Sequence, residues 1–294
     1  MKPFEYIAAT SVDHVVEVMA EYGTDASILA GGTDLLISLR RSNGISPKVI
    51  VDISRVKELN GISLENGVVN LCPLVTHTSV LRSKVLRERA KLLSSAASVI
   101  GSPQIRNRGT VGGNIMNAAA CADTVPPLVA LDASITLQSK NGVRRMPLAD
   151  LFLEPYRTKA HADEVLTRIQ FPVLPFEAKS SFIKLGRRNA LTISRLSVAA
   201  VLRQNEDGKI VDARIVPGAT FPTWRRIGEA EQLLIGERPS RRLFEAAGKK
   251  VSEAMIAKIG RRWSTEYKEP VIAVLVRRSL ELCVDVSVNL DRLA

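Results

Sequence analysis

Apolar positions along the chain change period several times, and each change predicts an element. From Ser11 to Tyr22, Val12, Val15, Val16, Val18 and Met19 recur at helical spacing, with Ser11 placed to cap the first turn and Gly23 to end the last. Two short apolar runs follow, Ser27–Ala30 stopping at Gly31-Gly32 and Lys48–Ile53 after Pro47, which predicts a small β-α-β start. Val68–Leu74 reads as a further strand, and Ser79–Ile100 as one long helix with a basic outer face, closed by Gly101. After a glycine-bearing segment, Gly109–Asn114, the runs Ala133–Gln138 and Val143–Pro147 flank Asn141-Gly142, a dipeptide suited to a tight hairpin because both residues tolerate positive φ. Asp163–Phe171 is the next strand, and Pro172–Lys179 a linker.

Beyond the linker, Ser181–Leu185, Thr192–Arg203 and Lys209–Val216 predict three antiparallel strands, the last two joined at Asp207-Gly208. Helical patterns then dominate at Arg226–Ile235, Arg241–Ile259 and Val271–Val284. The class is α+β: an N-terminal region over 1–176, divided into subdomains of about 1–56 and 57–176, then a C-terminal sheet backed by helices over 177–288. A length of 294 residues with 46% hydrophobic content suffices for two cores.

Charge changes this picture little. The net charge of +11 invites a nucleic-acid reading. Yet the basic residues are scattered as doublets such as Arg40-Arg41, Arg144-Arg145, Arg187-Arg188 and Arg261-Arg262, and aromatic residues make up only 4%. A solvated basic surface that docks acidic partners accounts better for this pattern. No stretch reaches the run of about 18 apolar residues that a membrane span needs, and the N-terminus lacks a secretory signal, so a cytoplasmic protein is expected. Cys72, Cys121 and Cys283 lie far apart without a CxxC pair, and His14, His77 and His161 fall in different elements, so no metal site or catalytic residue is expected.

Two glycine pairs carry the candidate chemistry, Ala30-Gly31-Gly32-Thr33-Asp34-Leu35 and Thr110-Val111-Gly112-Gly113-Asn114. A dinucleotide pyrophosphate needs several backbone N–H donors close to its oxygens. Glycine removes the obstructing Cβ and permits positive φ, and successive amides then form an anion-binding concavity. Either pair alone is more often a tight turn. Neither matches GxGxxG or GxxxxGK[ST], which argues against a Rossmann dehydrogenase or a P-loop nucleotidase.

These two phrases, with Gly101-Ser102-Pro103-Gln104-Ile105-Arg106-Asn107 between them, resemble the FAD-carrying medium subunit of molybdenum hydroxylases of the xanthine dehydrogenase and carbon monoxide dehydrogenase type, and the similarity runs over nearly the whole chain. The resemblance implies a two-subdomain FAD-binding domain of the PCMH type followed by a C-terminal domain like that of the CO dehydrogenase flavoprotein. It implies FAD contacts from Ile28, Leu29, Ala30, Gly31, Gly32, Thr33, Asp34 and Leu35, and from Thr110, Gly112, Gly113 and Asn114. Further implied contacts are Ile100, Asp123, Leu166 and Lys184, with Lys184 and Leu166 near the isoalloxazine ring. Read from the residues alone, Asp123 could instead cap the helix beginning at Thr124-Val125-Pro126-Pro127, and Lys184 could be an ordinary lysine on a strand edge.

The family also implies partners: a small subunit with two 2Fe-2S clusters that delivers electrons to the flavin, a large molybdopterin-binding subunit that hydroxylates substrate, NAD or another terminal acceptor, and assembly as a dimer of heterotrimers. Only Cys121 lies where some relatives insert a four-iron cluster, and Ile100 stands where certain eukaryotic relatives shield the flavin with an aromatic ring. Thr33-Asp34 leans toward oxidation of an N-heterocycle, purine or aldehyde rather than carbon monoxide. The alternative is a self-sufficient FAD oxidoreductase on the same binding fold.

Overall fold

A computed structural model of the protein describes residues 3–41, 45–188 and 191–284. The chain divides into two compact units. One comprises Met1–Arg87, Ile100–Ala119 and Asp132–Val173; the other comprises Glu88–Val99, Ala120–Leu131 and Leu174–Ala294. The last residues of the 177–288 span, 285–288, lie outside the described residues.

The first unit opens with β1 (Glu5–Ala8), α1 (Val12–Tyr22), β2 (Ala26–Leu29), α2 (Leu35–Arg40) and β3 (Val49–Asp52). Ser11 caps α1 by accepting the His14 N–H at 3.2 Å, and Gly23 ends it at φ +49°. The sheet order is β1-β3-β2, all parallel, so this is a crossover unit with α1 as its covering helix. Val15, Val16 and Met19 of α1 share one core with Val49 and Val51 of β3. Strand β1 is mostly exposed and helix α2 is only six residues long, and neither shows a period long enough to read from the sequence.

Next come β4 (Ile62–Glu65) and β5 (Val68–Leu71), joined by Asn66 and Gly67 at φ +50° and +76°. This Asn-Gly pair is as strong a hairpin signal as Asn141-Gly142, and β4 was legible from it. The long helix expected over Ser79–Ile100 is instead three helices: α3 (His77–Arg82), α4 (Lys84–Arg89) and α5 (Lys91–Ser98). Ser83 and Ala90 leave helical geometry at the breaks, at φ/ψ of −64°/119° and −145°/52°. Ser83 ends one helix and caps the next, its Oγ accepting the Leu86 N–H at 3.3 Å, a competition for backbone groups that serine makes readily. The breaks also let Leu86, Leu92 and Leu93 all bury completely.

The chain continues through α6 (Pro103–Arg108), α7 (Val111–Asn117), α8 (Val125–Ala130), β6 (Ser134–Ser139), β7 (Gly142–Pro147), the short pair β8 (Phe152–Glu154) and β9 (Arg157–Thr158), and β10 (Val165–Pro172). Strands β4-β5-β10-β6-β7, in that order, form an antiparallel sheet, with the Asn141-Gly142 hairpin pairing Ser139 to Gly142.

The second unit is built on β11 (Lys179–Leu185), β12 (Leu196–Gln204) and β13 (Ile210–Gly218), antiparallel in sequence order. Helices α9 (Gly228–Gln232), α10 (Arg241–Ile259) and α11 (Thr265–Glu281) follow. Leu196, Val198, Ala200 and Leu202 of β12 face a core made with Phe244, Val251 and Met255 of α10 and Ile272, Val276 and Leu280 of α11. The alternate residues of β12 are buried as well, and α5 and α8 pack on the sheet. A strand covered on both faces explains why this run is continuously apolar.

At Gly248 α10 lies against the backbone of α11, because a Cβ there would stand 2.3 Å from the carbonyl oxygen of Ala273. Replacing Gly by Ala inside an exposed helix normally stabilises by about 1 kcal/mol. Here the clash reverses the sign, and Gly248→Ala is expected to destabilise by roughly 1–3 kcal/mol. Thermal melts followed by fluorescence of the buried Trp224 in the same unit check this; an unchanged or raised midpoint would contradict the close approach.

Candidate functional site

Parallel strand β2 ends at Leu29 and delivers the chain into Ala30–Asp34 ahead of α2. Gly32 takes φ +75°, a conformation glycine adopts without the usual penalty. Gly31 has a different reason to be glycine: the carbonyl oxygen of Arg108 lies 2.0 Å from where its Cβ would be. The first glycine turn therefore sits in backbone contact with the α6–α7 junction, and the two glycine-bearing phrases meet in the first unit. The amides of Gly31, Gly32, Thr33 and Asp34 find no acceptor among the described residues. Four successive unspent donors on a half-exposed turn are the arrangement that an anion-binding concavity requires.

The second phrase is helical, which corrects the expectation of a glycine turn with bare amides. Val111–Asn117 is α7, and Gly112 and Gly113 keep ordinary helical backbone. Its first amides are already used. Val111 donates to the Val75 carbonyl at 2.9 Å, Gly112 to Pro73 at 2.8 Å, Gly113 to the Thr110 Oγ1 at 3.0 Å and Asn114 to the Thr110 carbonyl at 3.0 Å. Gly112 is glycine because a Cβ would stand 2.3 Å from Pro73. Thr110 accepts at its oxygen, so its hydroxyl proton remains available to donate.

Side chains to which the sequence assigned no individual role hold this region in place. Arg106 donates to the carbonyls of Ile100 and Gly101 at 2.9 and 3.1 Å and fixes that turn. Thr78 donates to Asn107 at 2.6 Å. His77 is 3% exposed, its amide donates to the Gly109 carbonyl at 3.1 Å, and its ring packs on Gly109. Burial, reinforced by the Arg106 charge, lowers the imidazole pKa to about 4. Leu166 lies in β10 opposite Leu137, with 5% of its surface exposed.

Asp123 and Lys184 lie in the second unit. They form an ion pair at 2.7 Å with both side chains 7% exposed. Lys184 also donates to the Val99 carbonyl at 2.9 Å, and Ser194 donates its hydroxyl to the other oxygen of Asp123. Burial pushes the Asp123 carboxyl up from its ordinary value, opposed by the Lys184 ammonium and the Ser194 hydroxyl. Asp123 therefore does not cap α8, and Lys184, though on an edge strand, is no surface lysine. Nothing in sequence spacing links Ser194 to Asp123. Among the described residues no group of three or more His, Cys, Asp or Glu is gathered as a metal site, and no helix is long and apolar enough to cross a membrane.

Comparison with known proteins shows the family of the chain. Residues 2–174 match the FAD binding domain in molybdopterin dehydrogenase, and residues 181–282 match the CO dehydrogenase flavoprotein C-terminal domain. The chain belongs to the FAD-binding subunits of the molybdenum hydroxylases. FAD is the cofactor of this subunit, and the subunit is part of a multi-subunit oxidoreductase. The α subunit of the 6-hydroxypseudooxynicotine dehydrogenase complex of Paenarthrobacter nicotinovorans is 34% identical over 95% of each chain. The xanthine dehydrogenase FAD-binding subunit of Escherichia coli O157:H7 is 31% identical, also over 95% of each. Among solved structures, carbon monoxide dehydrogenase from Hydrogenophaga pseudoflava matches with a TM-score of 0.89 at 29% identity, covering 96% of this chain and 98% of the other.

The Gly31 contact makes a sharp test in this flavoprotein family. Gly31→Ala is expected to force the turn off Arg108 and abolish FAD retention without unfolding the chain, whereas Gly228→Ala, at an open position, leaves flavin content unchanged. Flavin absorbance per protein and circular dichroism read both. Full flavin content in Gly31→Ala would show that the turn does not hold the cofactor.

His77 sets a pH dependence. Its folded pKa lies below the unfolded value near 6.5, so the unfolded chain binds more protons between the two values. Its contribution is complete above pH 6.5 and is lost as pH falls to about 4, roughly 3 kcal/mol in all. Denaturant melts of wild type and His77→Gln between those pH values should show a steeper acid loss in wild type; parallel slopes would contradict a buried neutral ring.

Proposed function

We propose that this subunit takes electrons from 2Fe-2S clusters of a small partner subunit and passes them to NAD or another acceptor, while a large molybdopterin-binding subunit carries out substrate hydroxylation. The observation that carries the reading is the row of unspent amides at Gly31–Asp34, set on the end of a parallel strand in a chain of this family. The amides, with the Thr33 and Thr110 hydroxyls, would hold the FAD pyrophosphate. Neighbouring residues Ile28, Leu29, Ala30 and Leu35 shape that turn, and Gly112, Gly113 and Asn114 complete the wall next to Thr110. When bound, FAD supplies exchange between one-electron carriers and a two-electron acceptor, and the protein's part is to position and tune it.

Asp123 and Lys184 are assigned to that tuning, with Ile100 and Leu166 as apolar contacts of the ring. An ammonium group neutralised by a buried carboxylate presents a fixed dipole that Ser194 holds in register. A cation near the cofactor favours the electron-rich form, and a carboxylate opposes it. Relatives named for nicotinate dehydrogenation and quinoline oxidation suggest an N-heterocycle as the substrate of the assembled enzyme, in keeping with Thr33-Asp34. The assembly is proposed to be cytoplasmic and a dimer of heterotrimers.

The test is redox titration of the FAD-loaded chain. Lys184→Met should lower the flavin midpoint potential and Asp123→Asn should raise it, each on the order of 30 mV, the tenfold equivalent for a two-electron couple. Shifts of the same sign, or none in either variant, would remove the pair from the flavin. Flavin reduction by substrate should in addition require co-expressed partner subunits, and turnover by this chain alone would favour the self-sufficient oxidoreductase.

A further inference from the structure

One face of the antiparallel sheet in the first unit carries a polar row across three strands. Register sets Arg168 of β10 beside Thr136 of β6 and Thr136 beside Arg145 of β7, so two arginines flank one hydroxyl. Each arginine stands one strand from Thr136, about 5 Å between backbones. A bulge in β10 between Leu166 and Arg168 adds a residue, and in consequence Thr167 and Arg168 both line the space in front of this row. That space is a cavity of about 410 Å³. Its other wall is the start of α1 and the turn Lys57–Leu59, which contribute Asp13 and Glu58. Val12, Leu59 and Val143 add apolar lining.

The polar groups here are unspent. Among the described residues Arg145, Arg168, Asp13 and Glu58 form no ion pair. Arg144, next to Arg145 and so on the opposite face of β7, is by contrast closed by Glu164 at 2.8 Å. Thr136 is 8% exposed, and its hydroxyl has no partner among the described residues, while its carbonyl accepts the Thr167 hydroxyl at 3.3 Å. A nearly buried hydroxyl with nothing to bond is costly unless something enters the cavity to meet it. Two cations on the sheet wall and two carboxylates on the facing wall polarise the cavity from side to side. A plain anion is opposed by the carboxylates and a plain cation by the arginines, whereas a molecule carrying both charges gains from both walls. The volume suits a small ligand. None of the residues assigned to the flavin lines this cavity, and Leu166, although next to Thr167, pairs with Leu137 on the other face of the sheet.

We propose that this cavity binds a small zwitterion of the amino-acid type. Arg145 and Arg168, with the Thr136 hydroxyl between them, take the carboxylate, which guanidinium groups grip in bidentate fashion. Asp13 and Glu58 take the ammonium, and Val12, Leu59 and Val143 meet the methylene groups that separate the two charges. The site is independent of the electron-transfer reading.

The experiment titrates the FAD-loaded full chain with glycine, γ-aminobutyrate and ε-aminocaproate, which differ in the distance between their charges. Hexanoate and hexylamine serve as the single-charge halves. Calorimetry and saturation-transfer NMR read binding. At least one zwitterion is expected to bind saturably, about tenfold or more above either half, the usual worth of a charged hydrogen bond. Arg145→Gln and Arg168→Gln should each erase the advantage of that zwitterion over hexylamine. Asp13→Asn and Glu58→Gln should each erase its advantage over hexanoate. All four side chains are exposed, so these variants are expected to keep the fold and full flavin content. Failure of all three zwitterions to saturate, equally tight binding of hexanoate or hexylamine, or unchanged affinity in all four variants would overturn the site. Loss of flavin from correctly folded variants would overturn its separation from the FAD site.

Discussion

The approach of one backbone to another at Gly31 and Arg108 is the constraint on which the first unit's chemistry depends. An oxygen atom occupies the place where any side chain would begin, so the turn after β2 can reach the α6–α7 junction only as glycine. That contact ties Ala30–Asp34 to a framework whose own amides are already spent on Pro73, Val75 and Thr110. With the neighbour's backbone amides spent, the backbone donors without an acceptor are those of Gly31–Asp34, beside the Thr110 hydroxyl. On the proposed reading, preorganised amides of this kind would take a phosphate without being reoriented, whereas a longer flexible loop would lose affinity to ordering.

The second unit works by a different economy. Asp123 and Lys184 are each costly to bury, and each is tolerated because the other is there, with Ser194 and the Val99 carbonyl satisfying the remaining valences. The same end of the sheet carries Arg195 and Lys268 without such compensation. One charged group at that end is thus closed by a counter-charge, and the other is held by a carbonyl and a ring face alone.

Much of the architecture was legible in the chain. The α1 pattern, the Asn141-Gly142 hairpin, the three antiparallel strands and the exact extent of α10 followed from period and turn chemistry, because each is a local rule satisfied within a few residues. The helix over Ser79–Ile100 was misread because its composition is helical throughout. Two breaks at Ser83 and Ala90 are decided by where Leu86, Leu92 and Leu93 must point, and propensity carries no information about that. Strand β4 was missed although Asn66-Gly67 announced it.

Sequence alone determined that two glycine pairs lie in a chain with the order and spacing of a flavin-binding subunit, since glycine and turn signals are read one residue at a time. Only the tertiary structure decided which pair has donors to offer. Whether an amide is spent depends on a carbonyl that can be dozens of residues away, as Pro73 is from Gly112. The same holds for Asp123, Lys184 and Ser194, which become one group because strand register and a helix end bring them together, a relation that no period along the chain encodes.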